Sequence, residues 1–208
     1  PARMVALAAG LPITSAAYTV DTQCCAGLDA MALAASLIAS GQADVVIAGG
    51  AEAWSRAPIR ATRPLHAGDA PAPYERPPFA PAGFDDPDLL LAAARYAAAH
   101  CHTRSAQDQY AAASHARAVA SQTALAAEIV PINGVAQDAF PRTLTERQLA
   151  RFPAIAHTDD PIDDATRDQH AVSTVAISPK ADGAALVLLM SNAACARYGV
   201  QASAQWLG

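Results

Sequence analysis

Cys24 is the residue of this sequence best placed for covalent chemistry. It follows the run Thr19-Val20-Asp21-Thr22-Gln23 and stands where a helical pattern begins, with Leu28, Met31, Ala35 and Ile38 recurring every three or four residues. At a helix N-terminus, unpaired backbone N–H groups and the helix dipole favour negative charge, the state a thiol nucleophile needs. The same N–H groups can donate to the oxyanion that forms when a thioester carbonyl is attacked. Gly27 keeps the first turn unobstructed. A cysteine in this place also serves as a small buried hydrophobe, and position alone does not separate the two roles.

The other reactive side chains have less support. Cys25 adjoins Cys24, but consecutive helical residues point in different directions. Cys101 and Cys195 have only a packing role to recommend them. His66, His100, His102, His115, His157 and His170 read as surface or hydrogen-bonded histidines, and no cysteine pair has metal-ligand spacing with them. Asp159, Asp160, Asp163 and Asp164 lie in an acidic, irregular stretch that reads as a solvated loop rather than a metal site. The absence of a glycine-rich phosphate loop or a serine elbow argues against nucleotide hydrolases and serine esterases.

The elements around Cys24 describe an α/β chain. Residues 2–9 have helical spacing and end at Gly10 and Pro12, after which Ile13 to Val20 reads as a short buried strand. The helix from Cys24 runs to Ser40 and stops at Gly41. Ala43-Asp44-Val45-Val46-Ile47-Ala48 is a strand of the kind buried on both faces, closed by a Gly49-Gly50 turn. Strand, helix and strand so closely spaced imply a βαβ unit with a parallel crossover. Residues 57–88 are proline-rich and aperiodic, an excursion over the surface. Helices are expected over 89–99 and about 105–127, the second capped by Thr103. Glu128 to Ile132 reads as an edge strand containing Pro131. Ala184 to Met190 returns to the core as a second buried strand, and Ser191 or Asn192 caps a last helix to Tyr198. The expected organisation is a core over 1–56, an inserted loop domain over 57–180, and a return to the core over 181–208.

Composition narrows the function classes. The 208 residues are 52% hydrophobic and 16% charged, ample for a folded core. A net charge of −5 argues against nucleic-acid and anionic-lipid partners, which need concentrated Lys and Arg. Four scattered cysteines point to a reducing, cytoplasmic setting rather than a disulfide framework. No apolar run is long enough to span a bilayer and no signal segment opens the sequence, so no membrane association is expected. Pro1 already reads as the first turn of a helix, which suggests part of something longer.

Taken in order, several motifs resemble the thiolase family. Thr19-Val20-Asp21-Thr22-Gln23-Cys24-Cys25-Ala26-Gly27-Leu28, followed by Ala48-Gly49-Gly50-Ala51-Glu52, is similar to the family's signature around its acylated cysteine. Further matches are Tyr74-Glu75-Arg76, Phe79-Ala80-Pro81, Arg104-Ser105-Ala106-Gln107-Asp108-Gln109-Tyr110-Ala111 with Ser114, Glu128-Ile129-Val130-Pro131 and Asp182-Gly183-Ala184-Ala185. The resemblance implies a partial thiolase-like fold and Cys24 as the acyl-accepting nucleophile. The substrate it implies is a coenzyme A thioester, with no permanently bound cofactor or metal, and it implies a homo-oligomer.

By the same resemblance, Cys24 attacks a 3-ketoacyl-CoA or acetyl-CoA, and free CoA resolves the acyl-enzyme. Ser178 falls where the family places a serine near the pantetheine of CoA, although a turn residue before Pro179 is an equally simple reading. The sequence departs from the family at Asp21, where asparagine is usual, and at Val175-Ala176, where Gly-Asn is usual. It departs again at Ala93-Ala94, where Ala-Glu is usual. The family's Gly-His-Pro segment and second, acid/base cysteine are not among these residues. Two alternatives stay open at this point. One is a ketoacyl synthase-like condensing enzyme, since Val20-Asp21-Thr22 before a cysteine also suits that sister family. The other is a non-catalytic CoA-binding or partner subunit.

Overall fold

The regular elements follow the hydrophobic pattern closely in some places and depart from it in others. In a computed structural model that describes residues 1–158 and 168–207, the elements begin with α1 (Ala2–Ala8), α2 (Ala26–Ala39) and β1 (Val45–Ala53). Then come β2 (Ala61–Thr62), β3 (Ala72–Pro73), α3 (Leu89–Ala99), α4 (Arg104–Ala120), α5 (Gln122–Leu125) and α6 (Glu146–Leu149). The last are β4 (Ala154–Ala156), β5 (Val172–Ser173), β6 (Asp182–Met190) and α7 (Asn192–Tyr198). Short 3-10 turns occupy Gln23–Cys25, Trp54–Arg56 and Thr174–Ala176. The acidic cluster Asp159, Asp160, Asp163 and Asp164 lies outside the described residues. The chain divides into two units, one formed by Pro1–Pro58 with Lys180–Gly208 and the other by Ile59–Pro179.

In the first unit, β1 and β6 form an antiparallel ribbon in register from Val45 opposite Met190 to Ala53 opposite Asp182. Helix α2 packs across β1 and reaches β6. This corrects the expected parallel βαβ crossover, because residues 13–20 join no ladder among the described residues. A strand needs a neighbour to accept its hydrogen bonds, and β1 is laddered to β6. The Arg3 guanidinium meanwhile occupies carbonyls of the 13–20 segment, donating to Ile13 O and Ser15 O, each at 2.6 Å.

The Gly49-Gly50 pair is likewise not a turn. Both glycines lie inside β1, opposite Leu186 and Ala185. A Cβ on Gly49 would collide with the Ala185 carbonyl oxygen and sit 2.8 Å from Leu186 Cα, so the ribbon's close approach requires glycine there. Nor is the ribbon buried on both faces. Ile47 and Leu186 are 52% and 61% exposed, since α2 covers one side of a two-stranded ribbon. At the far end, the Ser191 hydroxyl caps α7 by accepting from Ala194 N–H at 3.1 Å, and Gly199 ends it in the left-handed conformation.

The second unit is built on helices with strong caps. Asp88 accepts from the backbone N–H groups of Leu90 and Leu91 to start α3, and Thr103 accepts from Ala106 to start α4. Helix α4 stops at Ala120 rather than continuing to 127; Ser121 breaks it and α5 adds one further turn. The edge strand expected over 128–132 is absent. The chain instead makes a tight turn in which Ile132 bridges Val135 across Asn133 and Gly134, both at positive φ. Small side chains let the segments approach closely, and Ala94, Ala97, Ala171, Val172 and Val175 are buried.

His115 belongs to the same core, 8% exposed with its ring 5.1 Å from that of Phe140. Burial disfavours its charged form and the Arg142 cation adds to this, so its pKa lies below the ordinary 6.5. Below 6.5 the unfolded chain takes up a proton that the folded chain refuses. The stability that a neutral His115 contributes is complete above that value and lost as pH falls through the folded pKa. The urea midpoint should therefore fall on acidification below about 6.5, and His115→Gln should flatten that slope. An unchanged slope in the variant would count against this account.

Candidate active site

Cys24 sits in the middle of the 3-10 turn Gln23–Cys25, directly before α2, and its side chain is exposed. The turn is held from both ends. Asp21 Oδ1 accepts the Gln23 N–H at 3.1 Å, and the Thr22 hydroxyl donates to the Asp29 carboxylate in the first turn of α2. The Cys25 N–H donates to Thr22 O at 3.4 Å. Gln23 adopts φ +59°, a left-handed conformation that costs a non-glycine residue roughly 1–3 kcal/mol and persists only where its surroundings impose it. The strain lies next to the thiol and makes the backbone turn sharply there.

The aspartate in place of the usual asparagine thus has a clear local role. Its side chain bonds the backbone two residues on, as either residue type can. The N–H groups expected to be open at this helix start are partly used within the turn, since Ala26 N–H also bonds Gln23 O. Asp29 places a carboxylate near the positive end of the α2 dipole, where it is stabilising.

Helix α2 is seated through a glycine contact. Gly27 and Gly50 face one another, a Cβ on Gly50 lying 3.5 Å from Gly27 Cα. This brings the first turn of α2 onto the middle of β1 and sets the height of the preceding turn. At the end of β1, the turn Trp54–Arg56 is tied to β6 because Ser55 N–H and its hydroxyl both donate to Asp182. Those bonds, the side-chain one first, hold the Asp182 carboxyl below its usual pKa.

Ser178, in the second unit, is exposed and follows the 3-10 turn Thr174–Ala176. Ala176 also lines a hollow of about 400 Å³ with His102, Gln107 and Tyr110. The motif Tyr74-Glu75-Arg76 with Phe79 forms a clasp. Arg76 donates to the Asp86 carboxylate and lies 4.9 Å over the Phe79 ring, while Phe79 N–H donates to Asp86 at 3.0 Å. The side-chain bond from Arg76 is the main reason the Asp86 carboxyl titrates low. This clasp leads into the Asp88 cap of α3. Cys25 and Cys101 are exposed free thiols and Cys195 is a partly exposed one. Among the described residues, no three His, Cys, Asp or Glu side chains are grouped to hold a metal, and no helix is long and apolar enough to cross a membrane.

The model of the thiolase N-terminal domain matches residues 1–193. The chain belongs to the thiolase family. It is 33% identical over 210 residues to a Bacillus subtilis protein described as a candidate acetyl-CoA C-acetyltransferase, covering 100% of this chain and 52% of that protein. A probable acetyl-CoA acetyltransferase of Mycolicibacterium smegmatis is 32% identical, over 96% of this chain and 53% of its own length. Its counterpart in Mycobacterium tuberculosis is 31% identical, over 96% of this chain and 52% of its own length. The thiolase chain therefore spans about half the length of these relatives. Its mixed helices and strands agree with the α/β class expected of the family.

Proposed function

We propose that this thiolase-family chain carries the acyl-accepting step of a CoA-dependent acyltransferase, with Cys24 as the nucleophile. The observation that carries the reading is an exposed thiol on a strained turn at the start of α2, within the span matched by the family model. The thiolate attacks the carbonyl carbon of acetyl-CoA or a 3-ketoacyl-CoA and a new C–S bond forms. The bond to CoA, or to the leaving acetyl-CoA carbanion equivalent, then breaks. A proton must reach the leaving group, and free CoA later takes the acyl group from Cys24. Ser178 and the inserted segment 57–180 would receive the pantetheine.

The relatives named as acetyl-CoA acetyltransferases support the acyl-CoA substrate class. Four free cysteines suit a reducing cytoplasm, and association of identical chains is part of the same reading. Because a Gly-His-Pro segment and a Cys-Gly pair are absent from these 208 residues, the chain alone should acylate but turn over little. Incubation with acetyl-CoA followed by intact-mass and peptide mapping tests this. One acetyl group on Cys24 is the expected result. A chain that binds CoA and stays unmodified would be a binding subunit instead, and rapid steady-state thiolysis by this chain alone would refute the incomplete-site reading.

A further inference from the structure

The backbone leaves the common regions twice in succession just before Cys24. Thr22 lies at φ −122°, ψ +32° and Gln23 at φ +59°, and helical values return at Cys25 (φ −88°, ψ −7°) and Ala26 (φ −54°, ψ −37°). Cys24 stands between the left-handed step and the helix, so its direction follows from whatever fixes Gln23. Gln23 is exposed, so burial does not account for its conformation. Glutamine has no intrinsic preference for the left-handed region either.

Two hydrogen bonds bracket the step. On one side the Asp21 carboxylate accepts the Gln23 N–H at 3.1 Å, a local bond between residues two apart. On the other, the Thr22 hydroxyl donates to the carboxylate of Asp29, seven residues on in the first turn of α2. Had a regular helix continued back through Thr22, these residues would be about 10 Å apart along its axis, beyond the reach of two short side chains. They meet because the chain doubles back at Gln23. The left-handed step and the Thr22–Asp29 bond are therefore coupled. A hydrogen bond to a carboxylate contributes about as much as a left-handed residue costs, so this bond is large enough to decide the conformation. Asp29 is also a firm anchor, half-buried on a helix that packs across β1 with Gly27 against Gly50.

We infer that the Thr22–Asp29 hydrogen bond sets the direction of the Cys24 thiol by holding Gln23 left-handed, making Thr22 and Asp29 positioning residues for acyl transfer to Cys24. The inference rests on the role proposed above for Cys24. It is tested by following acetylation of Cys24 by acetyl-CoA, with intact mass read against time and the product mapped by peptide.

Thr22→Ala should slow acetylation about tenfold, the factor that loss of one such hydrogen bond represents. Thr22→Ser keeps the hydroxyl and should restore the wild-type rate. Asp29→Asn keeps an acceptor and should stay within about twofold of wild type, whereas Asp29→Ala should match Thr22→Ala. The deciding variant is Thr22→Ala/Gln23→Gly. Glycine enters the left-handed region freely, so the double variant should recover most of the lost rate without the Thr22–Asp29 bond. If Thr22→Ala does not fold, Asp29→Ala breaks the same bond from its other end, and Asp29→Ala/Gln23→Gly is the corresponding rescue.

Three results overturn the inference. The first is a wild-type rate in Thr22→Ala and Asp29→Ala. The second is faster acetylation in Asp29→Ala, since Asp29 would then act through its charge on the thiolate. The third is a loss that Gln23→Gly does not relieve, which would leave the bond as a brace for α2 alone. A wild-type chain that acetyl-CoA leaves unmodified at Cys24 overturns the proposed function itself, and the inference with it.

Discussion

Cys24→Ser should abolish the acetyl adduct that acetyl-CoA leaves on the wild-type chain, lowering the acylation rate by at least about 10³-fold. A hydroxyl is a far weaker acid than a thiol and a correspondingly poorer nucleophile at neutral pH. Within the turn, the Asp21 carboxylate accepts the Gln23 N–H and the Asp29 carboxylate the Thr22 hydroxyl. Cys25→Ser should keep the adduct at close to the wild-type rate, because the neighbouring residue leaves the turn in another direction. Intact mass against time, with peptide mapping of the product, reads both variants. Retention of the adduct in Cys24→Ser, or its transfer to Cys25, would remove Cys24 as the nucleophile.

Which parts of this architecture could be read from sequence depended on whether their physics is local. The limits of α3 follow from an apolar run behind a capping aspartate, and the start of α4 from Thr103. The Ser191 cap and the end of α7 at Gly199 are local in the same sense. Strand pairing is not local. Val45 to Ala48 announces a buried strand but says nothing of its partner, and β6 lies some 130 residues further on, across a difference of 137 between Val45 and Asp182. Gly49-Gly50 has the composition of a turn, and only the close approach of β6 explains why it is strand.

The turn at Asn133-Gly134 carried a legible signal in its own dipeptide, which the apolar residues before it obscured. At the candidate site, the position of Cys24 before a helix was readable from periodicity. The left-handed Gln23 and the Asp21 and Thr22 bonds were not. Each arises from a side chain finding a partner that no short-range pattern names.

Gly49→Ala should be the most damaging of the conservative substitutions in the ribbon, destabilising the chain by about 3 kcal/mol or more. The added methyl meets the Ala185 carbonyl oxygen and Leu186 Cα, both backbone atoms of β6. A flexible side chain could swing aside, but these atoms can yield only if the ladder at Gly49 and Leu186 opens. Gly183→Ala lies in the same ribbon, opposite Glu52, and its Cβ would meet nothing within 4 Å. That variant should stay within about 0.5 kcal/mol of wild type. Urea unfolding of the three proteins gives the comparison directly, and similar midpoints for both variants would show that the ribbon is looser than its register implies. The consequence reaches Cys24, because α2 is seated on β1 through Gly27 and Gly50, one residue from the substitution. In any Gly49→Ala protein that remains folded, acylation of Cys24 should therefore slow as well, whereas in Gly183→Ala it should not.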